Sequence, residues 1–468
     1  MVAEPAIPTP IRDRGSFRDP AGGVFHLGDR VLRYLTPRGL DDFEALERSG
    51  LLEVLLDEGA LVPTRRVSLA AVPAPGEERP AAVLEHERIP FVSYPYEWPF
   101  ELLQAAAIQY LQAVRTSLDH GFLLKDATPF NTQFVGTRPT MIDVTSFEPY
   151  VAGRPWAAYS QFCRMFLNPL LLQSAAGIPF QRWLRSGIEG IQPGELGAVL
   201  PLRTKLRKSV FTHVVLQAWV GRRFGSDSAA VRHAAASEVS LKTLRRLIDQ
   251  LERTVRGLHR RGGKSVWGDY ELDCHYEAEA TAAKERFVDE VLGAWRPSVV
   301  WDLGANRGQY SAIAARHADY VVAMDGDELA AGGVTRRGDA DLDRILPLVM
   351  DFGNPSPDQG WAGAERQGLT ARGPADAALA LALVHHLSIA GHVPLPAVVA
   401  WLADHAHRVI VEFVPIEDPM AQRLLAARLD RPDGYDQATF ERALERHFRV
   451  ERTIELPGSA RTLYALIG

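Results

Sequence analysis

Apolar and polar positions alternate along GGVFHLGDRVLRYLT, where Val31, Leu32 and Tyr34 suit a pleated surface, and this pattern predicts a short hairpin. In LDDFEALERSGLLEVLLDEG the spacing lengthens: Phe43, Leu46, Leu51, Leu52, Leu55 and Leu56 recur at near-helical intervals, and Gly59 closes the segment. A second strand pair is expected in RRVSLAAV and AAVLEHERI, on either side of the turn-rich PAPGEERP. ELLQAAAIQYLQAVRTSLDHG predicts a long helix ended by Gly121, and LLKDATPFNTQFVGTRPTMIDV two short strands around a loop. From Trp156 to about Lys264 the pattern is helical, broken at Pro179, Pro193 and Pro201.

Beyond Trp267 the rhythm changes. EAEATAAKERFVDEVLGAW reads as an amphipathic helix, and VVWDLG, YVVAMD, ILPLVMD, ADAALALALV and HRVIVEFV are apolar runs of strand length separated by helical segments. Strands that alternate with helices belong in a parallel sheet covered on both faces. FRVERTIELPGSARTLYALIG closes the chain as two antiparallel strands around Pro457 and Gly458. The expected class is therefore α/β, in four parts: an extended arm over 1–20, a first folded unit over 21–200, a basic helical connector over 201–266 and a second unit over 267–468. The sheet of the second unit is expected to bury its own core.

Composition narrows the class. A chain of 468 residues has room for two to four domains, and 46% hydrophobic with 24% charged residues excludes wholesale disorder. There is no apolar run long enough to span a bilayer and no basic-then-apolar leader, so a cytoplasmic protein without a membrane partner is expected. Cys163 and Cys274 are too few and too distant for a disulfide framework or a thiolate zinc site, and no metal is expected. The net charge of −6 hides a basic stretch: between Arg203 and Lys264 fifteen Lys and Arg face four acids, Asp227, Glu238, Asp249 and Glu252. Solvated helices docked on acidic neighbours would account for it. Nucleic acid is the sharper alternative, although no RNP-type, zinc-finger or basic-zipper pattern accompanies the charge.

The most informative string is VVWDLGANRGQYSAIAARHA. A buried strand runs into Asp302 and Gly304, a loop of small residues passes Asn306 to Gly308, and a helix begins. Glycines at a strand-to-helix turn let backbone approach a ligand closely. The dinucleotide fingerprint G-x-G-x-x-G is not met, because Asn306 stands where its second glycine belongs and Gln309 where its third does. What remains, D-x-G-x-x-x-G, resembles the cofactor loop of class I S-adenosylmethionine-dependent methyltransferases, and the resemblance extends over 267–468. It implies a Rossmann-like sheet and a set of cofactor-binding residues: Asp302, Gly304, Asn306 and Gly308 at the methionine end, Asp325 on the ribose hydroxyls, Asp351 at the adenine amino group, and Asp376 from the fourth strand. A lone aspartate after a strand is otherwise a helix cap. His385, His386 and Glu412 are the candidate catalytic residues, because a hydroxyl acceptor must lose a proton and imidazole titrates in the right range. Adjacent residues on a strand face opposite ways, so one histidine at most is expected to reach substrate, and the pair with Glu412 is a poor metal set. Trp361 is a candidate either for covering adenine or for the core. Trp267, Tyr270 and Tyr276 form an aromatic lead-in suited to a lid or to packing.

A second constellation lies upstream. Asp126 and Asn131 have the D-x-x-x-x-N spacing, and Asp143 follows behind an apolar strand. This resembles the catalytic and metal-binding loops of protein-kinase-like and aminoglycoside-phosphotransferase-like folds, over about residues 20–200, and implies an α+β kinase-like domain. There Asp126 would accept the substrate hydroxyl proton, and Asn131 and Asp143 would hold magnesium, with Mg-ATP as a less favoured second cofactor. Lys125 replaces the residue that normally precedes the aspartate, Val144 and Thr145 follow Asp143 in place of Phe-Gly, and the glycine loop is reduced to Gly22 and Gly23. No lysine precedes Lys125, so Arg33, Arg65 or Arg66 would have to meet the phosphates. Together the two halves resemble a bacterial, nodulation-related type in which a kinase-like segment precedes a class I methyltransferase. The expected activity is S-adenosylmethionine-dependent methylation, of a hydroxyl on a small-molecule or carbohydrate-like acceptor. The alternatives are an ATP-dependent phosphotransferase and a non-catalytic protein with two ligand sites.

Overall fold

The computed structural model of the chain describes residues 9–73, 80–224, 238–261, 278–337, 343–426 and 433–468. The aromatic lead-in of Trp267, Tyr270 and Tyr276, Cys274, the first eight residues of the arm and parts of the basic connector lie outside the described residues.

The first half opens with β1 (Ile11–Arg12), β2 (Gly22–Leu27) and β3 (Arg30–Leu35), which continue into β4 (Thr64–Val67) and β5 (Ala82–His86) as one antiparallel sheet of order β1-β2-β3-β5-β4. Between β3 and β4 run α1 (Pro37–Arg48) and α2 (Leu51–Asp57). The Thr36 hydroxyl accepts from the Gly39 amide and Pro37 pre-sets the first turn, so α1 starts where a side-chain cap and a fixed φ coincide. Its Phe43 and Leu46 and the Leu51, Leu52 and Leu55 of α2 are buried, as the apolar spacing predicts. The long helix α3 (Phe100–Asp119) follows, then β6 (Phe122–Leu124), β7 (Thr132–Val135), β8 (Arg138–Met141) and β9 (Phe147–Pro149), paired β6 with β9 and β7 with β8. The helical segment that follows includes α4 (Leu216–Phe224) and α5 (Leu241–Arg256).

The second half begins with α6 (Ala278–Trp295) and alternates: β10 (Val299–Leu303), α7 (Gln309–Ala315), β11 (Tyr320–Asp325), α8 (Glu328–Val334), β12 (Ile345–Val349), β13 (Ala377–Ala380), α9 (Leu395–His405) and β14 (Arg408–Phe413). After α10 (Pro419–Ala426) and α11 (Gln437–His447) come β15 (Arg449–Glu455) and β16 (Thr462–Ile467). The seven strands lie in the order β12-β11-β10-β13-β14-β16-β15, parallel from β12 to β14, with β16 antiparallel to both of its neighbours. The fourth run is shorter than its sequence suggests. It ends at Ala380 because Ala382 adopts a left-handed φ of 53° and turns the chain.

Side chains alternate across each strand, so the sheet has two faces to cover. One face, with Val300, Val321, Ala323 and Ile345, packs with Phe287, Val288 and Val291 of α6 and Ile313 of α7. The opposite face, with Trp301, Tyr320, Val322, Met324, Leu346 and Leu348, shares one core with Phe91, Tyr94, Trp98 and Phe134 of the first half. No α-helix stands between β12 and β13 among the described residues, only the short turns Trp361–Gly363 and Thr370–Arg372. Residues of the first half take the place such a helix would fill. Phe91 meets Trp301 edge-on at 5.8 Å. The Gly136 amide donates to the Tyr320 hydroxyl (3.0 Å), which donates to the Phe134 carbonyl (3.2 Å). The Tyr94 hydroxyl accepts from the Gln367 amide (2.8 Å), and Arg372 donates to the Glu97 carboxylate (2.9 Å) in a pair that is 3% and 0% exposed. The expectation that the second sheet buries its own core is thus corrected in part: on this face Phe91, Tyr94, Trp98 and Phe134 of the first half join α9 and α11 of the second in one core.

Part of the basic stretch resolves into local pairing. Arg245 of α5 meets Asp119 (2.6 Å), Arg256 meets Glu252 (2.8 Å), and Arg260 approaches Glu101 and Glu328 (3.5 Å each). That portion is docked on acidic neighbours, one of the two readings the charge pattern allowed.

Candidate functional site

The glycine loop leaves β10 at Leu303 and turns twice. Gly304 has φ of 80°, and its amide, like that of Ala305, donates to the Met324 carbonyl at 2.9 Å, drawing the loop onto the end of β11. Gly308 has φ of 78°, and a Cβ there would meet Val334 of α8 at 3.1 Å, so both conformation and space favour glycine. Between them Asn306 also takes a left-handed φ of 47°. Its amide donates to Asp325 Oδ2 (2.8 Å), while Oδ1 of the same carboxylate accepts from the Asp327 amide (2.7 Å). Asp325 therefore clasps the loop from the tip of the neighbouring strand, and each of its oxygens keeps a further acceptor position. The Asn306 side-chain Oδ1 is buried without a hydrogen-bond partner.

Asp302 lies below this clasp, 2% exposed, and accepts from the Ser311 hydroxyl at 2.6 Å. Burial pushes its carboxyl up to about 6, and the nearby Asp325 charge adds to the effect. Burial likewise pushes Asp325 up to about 6, against the pull of its two amide donors. Asp351 is exposed just past β12, with Oδ1 accepting from the Gly353 amide (2.9 Å). Asp302, Gly304, Asn306, Gly308, Asp325 and Asp351 thus gather at the carboxyl ends of three adjacent parallel strands, where open α/β sheets bind ligands. Asp376 does not join them. It precedes β13, and its Oδ2 accepts from the Ser298 and Val299 amides at 3.0 Å each, fastening the amino ends of the strands at the opposite edge of the sheet. Trp361 is 71% exposed, which excludes the core reading.

His385 and His386 follow β13 with ring centroids 4.1 Å apart at 45°. They stand at the start of a helical turn and not on a strand, because the chain has already turned at Ala382, so strand alternation does not separate them. His385 is wholly buried and neither ring nitrogen has a hydrogen-bond partner. Burial, reinforced by the charges of Arg461 and Lys284, drives its pKa well below the ordinary imidazole value. Burial and Arg461 push His386 down to about 4. Both rings are neutral acceptors at pH 7, and neither is a strong base. Glu412, 0% exposed on β14, accepts from Lys284 Nζ at 2.7 Å and has Arg461 at 3.5 Å, and Arg461 in turn binds Asp418 (2.7 Å). A carboxylate held between two cations is a structural counter-ion, not a free base.

Lys284 is the residue that sequence reasoning passed over. It lies 4% exposed on α6, among Ala280, Ala283, Phe287 and Val288, with Nζ 4.9 Å from the Tyr310 ring centroid. A lysine at an apolar position of an amphipathic helix was the available signal.

In the first half, Asp126, Asn131 and Asp143 converge. Asn131 Nδ2 lies 3.4 Å from Asp143 and 3.2 Å from the Ser146 hydroxyl. Asp143 Oδ1 meets Arg33 at 3.1 Å and the Thr145 hydroxyl at 2.6 Å, while Oδ2 accepts from the Ser146 hydroxyl at 2.7 Å. Burial alone would raise the Asp143 carboxyl, but Arg33 and the two hydroxyls outweigh it and hold it below the usual range. Asp126 is raised by burial and by the negative charge of Asp143 and Asp19. Of the three arginines that were candidates for the missing lysine, Arg65 pairs with Glu85 and Arg66 with Glu44, and Arg33 of β3 points into this cluster. Among the described residues no group of three His, Cys, Asp or Glu has the arrangement of a metal site.

A parallel core numbered outward from its first strand as 3-2-1-4-5, extended by an antiparallel 7-6 pair, with a glycine loop after the first strand and a carboxylate after the second, defines the class I methyltransferase fold. No protein-family model matches the chain. Over 462 residues, 98% of this chain and 96% of the relative, it is 38% identical to nodulation protein NoeA of Rhizobium meliloti (strain 1021), and it belongs to the NoeA family. Among solved structures, magnesium protoporphyrin IX methyltransferase from Synechocystis PCC 6803 with bound SAH aligns with 43% of this chain and 96% of its own, at 18% identity and a TM-score of 0.30. N-methyltransferase NodS from Bradyrhizobium japonicum WM9 aligns with 41% of this chain and 98% of its own, at 11% identity and a TM-score of 0.30.

Proposed function

We propose that the chain is an S-adenosylmethionine-dependent methyltransferase acting on a hydroxyl of a small-molecule or carbohydrate-like acceptor. The observation that carries the reading is the clasp of the glycine loop by Asp325, with the unpartnered Asn306 Oδ1 beside it. Asp302, Gly304, Asn306 and Gly308 would hold the methionine end of the cofactor, Asp325 the ribose diol and Asp351 the adenine amino group. The bound cofactor supplies a methyl group already activated on a sulfonium. The chain's task is then to align the acceptor and to receive its proton. Neutral His386, half-buried beside His385, can accept a hydrogen bond from an acceptor hydroxyl, and burial, reinforced by the charge of Arg461, keeps both imidazoles uncharged.

Asp325→Ala is expected to weaken S-adenosylhomocysteine binding about ten- to a hundredfold in titration calorimetry, from ~1.5–3 kcal/mol for a charged hydrogen-bonding interaction. Unchanged affinity in a folded variant overturns the assignment. Affinity also follows pH. The ionised carboxylate is the better acceptor for the diol, so binding is full above about 6 and falls as pH drops through that value. Stability moves the other way. A carboxyl raised in the fold favours the protonated state there, so the contribution of Asp302 and Asp325 to stability grows as pH falls from about 6 toward the unfolded 3.8.

We read the first half as a kinase-like domain that recognises acceptor or supports the second sheet without transferring phosphate. The order β1-β2-β3-β5-β4 with helices between β3 and β4, and the convergence of Asp126, Asn131 and Asp143, support the kinase-like reading. The engagement of Asp143 by Arg33, Thr145 and Ser146 fits magnesium poorly. Calorimetry is expected to find no magnesium-dependent ATP binding, whereas binding that requires the metal and disappears in Asp143→Asn would establish a phosphotransferase site.

A further inference from the structure

The basic stretch that remains outside the ion pairs of α5 has an unusual companion. Leu202 and Leu206, one helical turn apart, are 78% and 81% exposed, and Phe211, Leu216, Trp219 and Val220 follow at 43–50%. Leu216, Trp219 and Val220 recur at i, i+3 and i+4, so α4 carries an outward apolar stripe while Val210, Val214 and Ala218 face the core. Single exposed apolar residues are ordinary, but six within nineteen positions are not.

The charged residues among them are all of one sign. From Leu196 to Ser226 the sequence has no acid, and Arg203, Lys205, Arg207 and Lys208 are interleaved along it with the apolar residues. Among the described residues Arg203, Lys205, Arg207 and Lys208 form no ion pair. The chain as a whole carries −6, so this is a local reversal of the charge of the protein.

We propose that the face formed by residues 202–220 is a peripheral docking surface for an anionic lipid bilayer. Aliphatic and aromatic side chains that stand clear of the fold can enter the acyl boundary while the surrounding Lys and Arg meet phosphate headgroups. A second copy of the chain is a poor occupant, because two such faces would oppose base to base. Nucleic acid would use the bases and stack on aromatic rings, and it leaves protruding Leu202 and Leu206 in water. This contact differs from spanning: no helix among the described residues is long and apolar enough to cross a membrane. It is also compatible with the absence of a spanning segment, on which the expectation of no membrane partner rests.

The test uses the full chain and sedimentation with vesicles. Binding is expected to equimolar phosphatidylglycerol and phosphatidylcholine, to weaken in high salt, and to be absent on phosphatidylcholine alone. Leu202→Glu combined with Leu206→Glu, at positions too exposed to hold the fold together, is expected to reduce binding about tenfold or more, with an unchanged melting curve and unchanged S-adenosylhomocysteine affinity. Arg203→Gln with Arg207→Gln is expected to reduce it as well. Failure to bind anionic vesicles overturns the proposal. So does undiminished binding by the leucine pair, or an RNA homopolymer that binds and depends on the arginines but not on the leucines.

Discussion

Residues 278–468 produced without the preceding half are expected to precipitate or to form a loosely packed state that binds hydrophobic dyes and lacks near-ultraviolet dichroism. Removing the first half strips cover from the sheet face that carries Trp301, Tyr320, Val322, Met324, Leu346 and Leu348. At ~1.5–3 kcal/mol for each large side chain, the lost burial is on the order of 10 kcal/mol, comparable with the whole stability of a domain. Co-expression of residues 9–261 is expected to restore solubility. A fragment that melts cooperatively on its own would show that the sheet has another way to cover this face.

The second large effect lies in the same contact. Arg372→Met is expected to destabilise the full chain by about 3–5 kcal/mol, because it strands the Glu97 carboxylate, which is 0% exposed, with the Tyr94 amide as its remaining donor. The guanidinium also lies 5.0 Å from the Phe91 ring centroid and 5.1 Å from that of Tyr94, so its removal loosens the aromatic cluster. Replacing both charged partners, as in Glu97→Gln with Arg372→Met, is expected to cost less than Arg372→Met alone. A double-mutant cycle followed by chemical denaturation measures the difference.

Local features of the chain were legible in its sequence. The glycine loop, the carboxylate after each of three parallel strands and the closing antiparallel pair all follow from period, turn chemistry and order, because each is written in neighbouring residues. Asp376 was misread for a physical reason. It precedes its strand, so it stands at the amino end, whereas ligand-binding carboxylates follow theirs. The histidine pair was assigned to a strand because ALALALV stays apolar past Ala380, and periodicity does not register a turn made by an alanine with positive φ. Lys284 escaped notice, and Arg33 could not be told from Arg65 and Arg66, because their partners, Glu412 and Asp143, lie more than a hundred positions away. Least legible was the shared core. The glycines and prolines from Gly353 to Pro374 mark turns and not a helix between β12 and β13, but a sheet face records only that it is apolar, not what covers it.

Strand β11 carries the consequence furthest. At one end Tyr320 is fastened through its hydroxyl to the β7–β8 turn, and five residues later Asp325 holds the glycine loop. In a lineage that inherits both halves in one gene, a change at Phe134 or Gly136 is expected to shift β11 and with it the Asp325 clasp, so the two halves are expected to drift together. Chimaeras that join the first half of one relative to the second half of another should fail wherever this seam has diverged, and compensating substitutions selected from such hybrids should fall along it.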